Sequence, residues 1–164
     1  MARCLIIGCG CRGRLLAREL LTAGHAVRAT TRDGANVAEI EAAGAEAFVG
    51  DPDRVVTIAP AFAHVSVACV LLGSAAGEPA AIEALHTTRL DMLLTRMIDT
   101  TVHGIVYEAA GSVDAGLLVR GADLVRATCD DARIPHVVLT ADPGDPPAWV
   151  SAATAAVADV LGAA

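Results

Sequence analysis

The sequence predicts an α/β fold in three layers, a six-stranded parallel sheet with helices on both faces. Three observations carry this prediction. Short apolar runs rich in Val, Ile and Leu alternate with longer stretches of helical periodicity. The βα unit repeats six times along the chain. Strands that alternate with helices are joined by right-handed crossovers, which makes the sheet parallel and covers both of its faces.

Each element has a local reason. Cys4-Leu5-Ile6-Ile7 is a compact apolar strand ended by glycines. From Arg12 to Ala23, Leu15, Leu16, Leu20 and Leu21 recur on one helical face, and Gly24 is a helix stop. His25 to Thr31 alternates and supplies strand two. Asn36 is placed to cap a short helix to Ala43, with Gly44 after it. Ala45 to Val49 is strand three, and Asp51-Pro52-Asp53 caps a helix from about Arg54 to Ala63. Val65 to Leu72, apolar on both faces, is strand four. Pro79 opens the longest helix, to about Thr100. Val102 to Tyr107 is strand five, Val113 to Ala132 the next helix, and Pro135 to Thr140 strand six. A Pro- and Asp-rich loop, Ala141 to Pro146, leads into an Ala-rich docking helix. Nothing marks a linker, so residues 1–164 are expected to form a single domain.

Composition excludes several function classes. The formal net charge is −7 and only four residues are aromatic, which is neither the basic footprint nor the stacking platform of a nucleic-acid binder. All 12 basic residues are Arg, so there is no Walker A lysine, no Schiff-base lysine and no Tyr-x-x-x-Lys dyad. Five cysteines in irregular spacing do not make a disulfide framework. The first apolar run is short and is followed at once by Arg12, Arg14 and Arg18, unlike a signal peptide. The apolar end carries Ser151, Thr154 and Asp159, unlike a membrane span. A cytoplasmic protein with no membrane partner is expected.

Strand one runs into Gly8-Cys9-Gly10-Cys11-Arg12-Gly13, a G-x-G-x-x-G turn between a strand and a helix. In a Rossmann-like fold Gly8 permits the tight turn, Gly10 lets a pyrophosphate approach, and Gly13 lets helix and strand pack closely. The helix N-terminus then offers free N–H groups to phosphates. An S-adenosylmethionine site would place acids in strand one and at the end of strand two. Leu5-Ile6-Ile7 and Thr30-Thr31-Arg32 stand there instead, which favours a nicotinamide cofactor. NAD sites put a carboxylate at the end of strand two, and NADP sites replace it and add Arg. Thr31 holds that slot and Arg32 follows, with Arg12 able to close on the same phosphate, so NADP(H) is expected over NAD(H). Asp33 lies at the spacing an NAD site would use, but Asp33-Gly34 reads as a turn beyond the strand. Arg32 also has an ordinary reading, as a solvated turn residue. Asp51 either bonds an adenine amino group or caps a helix. Gly73 and Ser74, in the small-residue loop after strand four, are placed to run beneath the cofactor.

From Leu5 through Gly13, on through Ala23-Gly24-His25-Ala26-Val27-Arg28 to Gly50-Asp51, the chain resembles the NAD(P)-binding half of the atypical short-chain dehydrogenase/reductase superfamily. Sugar-epimerase-like and NmrA-like members are the most similar. The resemblance covers about the first third by motif and the rest by architecture. It implies a sheet ordered 3-2-1-4-5-6 and a homodimer through the helices after strands four and five. It also marks departures. Family catalysis uses a Ser near the end of strand five and a Tyr-x-x-x-Lys on the next helix. The only Tyr, Tyr107, lies in strand five, and Ser112 is the nearest counterpart of the Ser.

Other chemistry is sparser. His25, His64, His103 and His136 stand at strand beginnings, the edge opposite the site, and His86 is expected at a helix surface or interface. No spacing suggests a metal site. Glu108 and Asp142 follow adjacent strands and either face one cleft as an acid/base pair or serve as caps. Cys9 and Cys11 flank Gly10, where a helix N-terminus lowers a thiol pKa and permits reversible oxidation; the alternative is small loop filler. Ile82, Leu85, Leu90, Leu93, Leu94, Met97 and Ile98 spread wider than one stripe, as a second buried face and a dimer would require. Two function classes follow: a nucleotide-binding or sensing protein, or an NAD(P)-dependent oxidoreductase or epimerase-like enzyme using Ser112, Glu108 or Asp142.

Overall fold

Six strands form one parallel sheet in the order β3-β2-β1-β4-β5-β6, as expected. The structure is a computed structural model and describes residues 1–163. The strands are β1 (Arg3–Ile7), β2 (Ala26–Thr31), β3 (Glu46–Val49), β4 (Val67–Val70), β5 (Gly104–Glu108) and β6 (His136–Leu139). The helices are α1 (Cys11–Thr22), α2 (Val37–Ala42), α3 (Val55–Ile58), α4 (Pro79–Leu85), α5 (Thr88–Ile98), α6 (Ala115–Ala132) and α7 (Pro146–Gly162).

Period-two alternation along each strand divides the core between the two faces. Leu5, Ile7, Ala68, Val70, Ile105 and Tyr107 meet residues of α3 to α6 on one side. Cys4, Ile6, Val67, Cys69 and Val106 meet α1, Ile40 of α2 and α7 on the other. The central strands β4 and β5 are buried throughout, so both of their faces are apolar until the last residue, Glu108.

Several sequence expectations are corrected. Asn36 makes no side-chain cap; Asp33 accepts from the Ala35 N–H and caps a 3₁₀ turn over Gly34–Asn36. The helix expected over 54–63 is one α turn, α3, continued as a 3₁₀ turn over Ala59–Phe62 that begins where Pro60 removes a donor. The helix expected over 79–100 is two helices, α4 and α5, separated at His86 and Thr87. The break also explains the wide apolar stripe. Leu85, Leu90, Leu93, Leu94 and Met97 of that stripe are buried within the one chain, whereas Ile82 is half-buried and Ile98 is exposed.

His86 is the reason for the break. It is not on a surface but fully buried. Its Nε2 lies 3.1 Å from the Leu72 carbonyl oxygen, which only accepts, so Nε2 carries the proton. Nδ1 then accepts from the Tyr107 hydroxyl at 2.7 Å. The backbone tightens to i→i−3 bonds at His86 and Thr87 to turn the ring inward. Gly121 of α6 makes the room: a Cβ there would strike the Tyr107 hydroxyl. Burial holds the His86 pKa below its ordinary value of 6.5, partly opposed by the bond to Leu72.

The sign of the pH effect follows. As pH falls through 6.5, the unfolded chain takes up a proton that folded His86 refuses, so stability is lost. One such group gives at most about 1.4 kcal/mol per pH unit. Urea denaturation is expected to show wild type losing more stability between pH 7.5 and 5.5 than His86→Gln does. Equal losses in the two proteins would refute the assignment.

Candidate functional site

The turn after β1 is built as its glycines require. Gly8 has φ +89°, and a Cβ there would strike the Leu71 carbonyl oxygen, so only Gly fits. Gly10 has open space where a Cβ would stand. A Cβ at Gly13 would stand 3.3 Å from Cys9 Sγ and 3.4 Å from Ile6, closer than most real Cβ contacts, so the glycine lets α1 sit close against β1. The first N–H groups of α1 have no acceptor inside the helix.

A cleft of about 330 Å³ lies over the turn, at the carboxyl ends of the strands. One end is lined by Thr30 and Thr31 at the end of β2 with Arg32 and Asn36 beyond it, the other by Ser74 after β4, Glu108 at the end of β5 and Trp149 of α7. Among the expected binding residues Gly8, Cys9, Gly10, Cys11, Arg12, Gly13, Thr31, Arg32 and Ser74 line it. Asp51 and Gly73 do not. Asp51 accepts from the Asp53 N–H at 3.0 Å, a tight turn ahead of α3; the N-cap of α3 is Arg54 and has no side-chain hydrogen bond, so the expected cap over 51–53 is not formed. Gly73 instead gives its N–H to Glu108 Oε1 at 2.9 Å.

Glu108 is the one charged residue at the end of the buried strands, and its side chain has no solvent exposure. Besides Gly73, it receives the Trp149 indole N–H on Oε2 at 2.8 Å. Arg12 Nη2 approaches the same oxygen at 3.5 Å and Ser74 Oγ at 3.4 Å, with its guanidinium 5.4 Å over the Trp149 ring. Burial raises the Glu108 pKa, while the Arg12 charge and the Gly73 and Trp149 hydrogen bonds oppose the rise. All its partners are donors, a set that suits the carboxylate.

The structure therefore separates residues that sequence reasoning joined. Arg12 does not reach the end of β2; it reaches the ends of β4 and β5. Asp142 does not face Glu108: it accepts from the Gly144 N–H at 2.8 Å and shapes its own loop. Ser112 is exposed and only its backbone N–H touches the cluster, at Ser74 Oγ. Cys9 is buried, and burial pushes its thiol up to about 11, opposite to the activation expected of a helix N-terminus. Cys11 is exposed at the start of α1 and accepts from Arg14. Trp149's bond to Glu108 was not foreseen; strand alternation was the available signal, since it sends Glu108 to the face that α7 covers.

A parallel sheet of this order, a glycine turn feeding a helix N-terminus and a cleft from the end of β2 to the end of β5 define a dinucleotide-binding Rossmann-like protein. The chain belongs to the NAD(P)H-binding family, whose model matches residues 8–145. Among curated proteins no sequence match is found. Solved structures share this fold. A short-chain dehydrogenase/reductase superfamily protein from Agrobacterium tumefaciens with bound NAD is 20% identical, with a TM-score of 0.67 over 83% of this chain and 48% of that one. Triphenylmethane reductase from Citrobacter, complexed with NADP(H), is 20% identical, with a TM-score of 0.64 over 84% and 48%. UDP-glucose 4-epimerase from Thermotoga maritima is 13% identical, with a TM-score of 0.70 over 83% and 54%. The chain spans about half the length of these structures. Among the described residues no helix is long and apolar enough to cross a membrane.

The cluster is expected to be energetically coupled. Trp149→Phe removes a donor from a buried carboxylate and should cost about 2 kcal/mol, and Glu108→Leu strands the Gly73 and Trp149 N–H groups at a similar cost. The double variant should lose clearly less than the sum, because the indole N–H is then gone and only the Gly73 N–H is left stranded. Additive losses in urea denaturation would show that the indole and carboxylate do not depend on each other.

Proposed function

We propose that the protein binds NADP(H) in preference to NAD(H), in a nucleotide-binding or sensing role. The end of β2 carries the cofactor preference. Arg32 lines the cleft there, while Asp33 turns its carboxylate to the Ala35 N–H and does not line it. A guanidinium at this place meets a ribose 2′-phosphate with charge-assisted bonds, where an NAD site would offer a carboxylate to the 2′-hydroxyl. Thr31 Oγ1 donates to the Asp33 carbonyl at 3.1 Å and fixes the turn that presents Arg32. The turn from Gly8 to Gly13 receives the pyrophosphate. The cofactor, when bound, supplies hydride chemistry.

The sensing role is supported by the proton donors at hand. The sole tyrosine, Tyr107, spends its hydroxyl on His86 on the sheet face away from Glu108, and the 164 residues contain no lysine. These residues offer the cleft no Tyr–Lys pair, which is in keeping with a binding or sensing role. A second reading, an NAD(P)-dependent oxidoreductase or epimerase-like enzyme, is favoured by the Arg12–Glu108–Trp149 cluster at the hydride end of the cleft. All five cysteines are free thiols, which supports a reducing, cytoplasmic setting.

Trp149 is the only tryptophan and lines the cleft, so its fluorescence reports binding. NADPH should quench it at lower concentration than NADH does. Arg32→Asp should weaken NADPH by about tenfold or more, roughly 1.4 kcal/mol, with a smaller effect on NADH. Equal wild-type affinities would overturn the Arg32 assignment, and binding of neither would overturn the cofactor reading. Oxidation of bound NADPH by small carbonyl compounds would move the protein from the sensing class to the enzyme class.

A further inference from the structure

Arg12 holds a position that dinucleotide binding alone does not require. The phosphate-binding donors of the turn are backbone N–H groups, and Arg12 projects past them toward Ser74 and Glu108. Its side chain remains about a quarter exposed, 27%, and lines the cleft. Its coordination is incomplete. Both of its contacts run from Nη2 and are long, 3.4 Å to Ser74 Oγ and 3.5 Å to Glu108 Oε2. Nε is buried with no hydrogen-bond partner among the described residues. A planar fork of five N–H donors held this loosely has capacity left for an acceptor.

The local charge has the same sense. Among the described residues the charged ones lining the cleft are Arg12, Arg32 and Glu108, a net positive site in a chain of formal net charge −7. Arg32 stands at the far end, so the free cationic capacity at the β4–β5 end belongs to Arg12. Glu108 sets an upper limit on the ligand's charge. Its buried carboxylate shares Arg12 with whatever binds, and a phosphate of charge about −1.5 to −2 meets more repulsion from it than a monoanion does.

We propose that Arg12 anchors a small carboxylate-bearing ligand at the β4–β5 end of the cleft, its guanidinium pairing the carboxylate beside Ser74. This rests on the NADP(H) reading and adds the class of the second ligand. The Trp149 ring beneath the guanidinium orients it, and Glu108 holds Trp149 in place. In the sensing role the carboxylate is the co-ligand; in the enzyme role it is the substrate's recognised group.

The test uses the full chain saturated with NADPH. Oxamate, its neutral counterpart oxamide and inorganic phosphate are titrated by calorimetry, with Trp149 fluorescence as a second readout. Oxamate is expected to bind saturably, at least tenfold tighter than oxamide and tighter than phosphate. Arg12→Met, again saturated with NADPH, should lose at least tenfold in oxamate affinity, and Arg12→Lys should recover part of it. Oxamide binding as well as oxamate, a preference for phosphate, or unchanged oxamate affinity in folded Arg12→Met would each overturn the proposal. If Arg12→Met does not fold, the wild-type comparison and Arg12→Lys decide it. Failure of wild type to bind NADPH overturns the cofactor reading itself, and is told apart because that titration comes first.

Discussion

A carboxylate buried at the end of the central sheet organises this cleft. Glu108 closes β5, a strand otherwise apolar on both faces, and a lone charge there would carry a desolvation cost of several kcal/mol. The structure offsets it with three donors from three separate places: the loop after β4, the last helix and the glycine turn. These are the segments that wall the cleft. The groups that make the acid tolerable are therefore the groups that shape the site, and neither can change without the other.

The opposite face has a matching device. Tyr107, one residue earlier, points to the other side of the sheet and reaches His86. His86 in turn holds the Leu72 carbonyl, and Leu72 lines the cleft. The loop after β4 is thus fixed from below by an imidazole and from above by a carboxylate. Both bonds end on adjacent backbone groups, at Leu72 and Gly73. A neutral network on one face and a charged one on the other give that loop little freedom to move.

Much of the architecture was legible because it rests on local periodicity. The six strands, the glycine turn and the parallel order follow from alternation, apolar runs and βα spacing. Side-chain reach was not legible in the same way. Arg12 sits in the glycine motif, so sequence reasoning aimed it at a phosphate, while tertiary packing turns it toward Glu108. His86 falls on a helical pattern that runs through it without interruption, and only the buried partners Tyr107 and Leu72 explain why the helix breaks. Cys9 shows the same limit: its place near a helix N-terminus suggested activation, and its burial reverses the direction. In each case proximity along the chain gave one answer and packing across the sheet gave another.

The alternation at the end of β5 also gives the strand a parity. Tyr107 and Glu108 differ by one position and by everything about the environment they enter. Insertion or deletion of a single residue upstream, with the strand keeping its place in the sheet, would exchange them. The acid would then enter the apolar layer among α4 to α6, and the phenol would take its place opposite α7. Loops elsewhere in the chain can change length without such an exchange. The segment from His103 to Glu108 cannot, so tolerance to length variation should be lowest in one of the most ordinary-looking apolar stretches of the sequence.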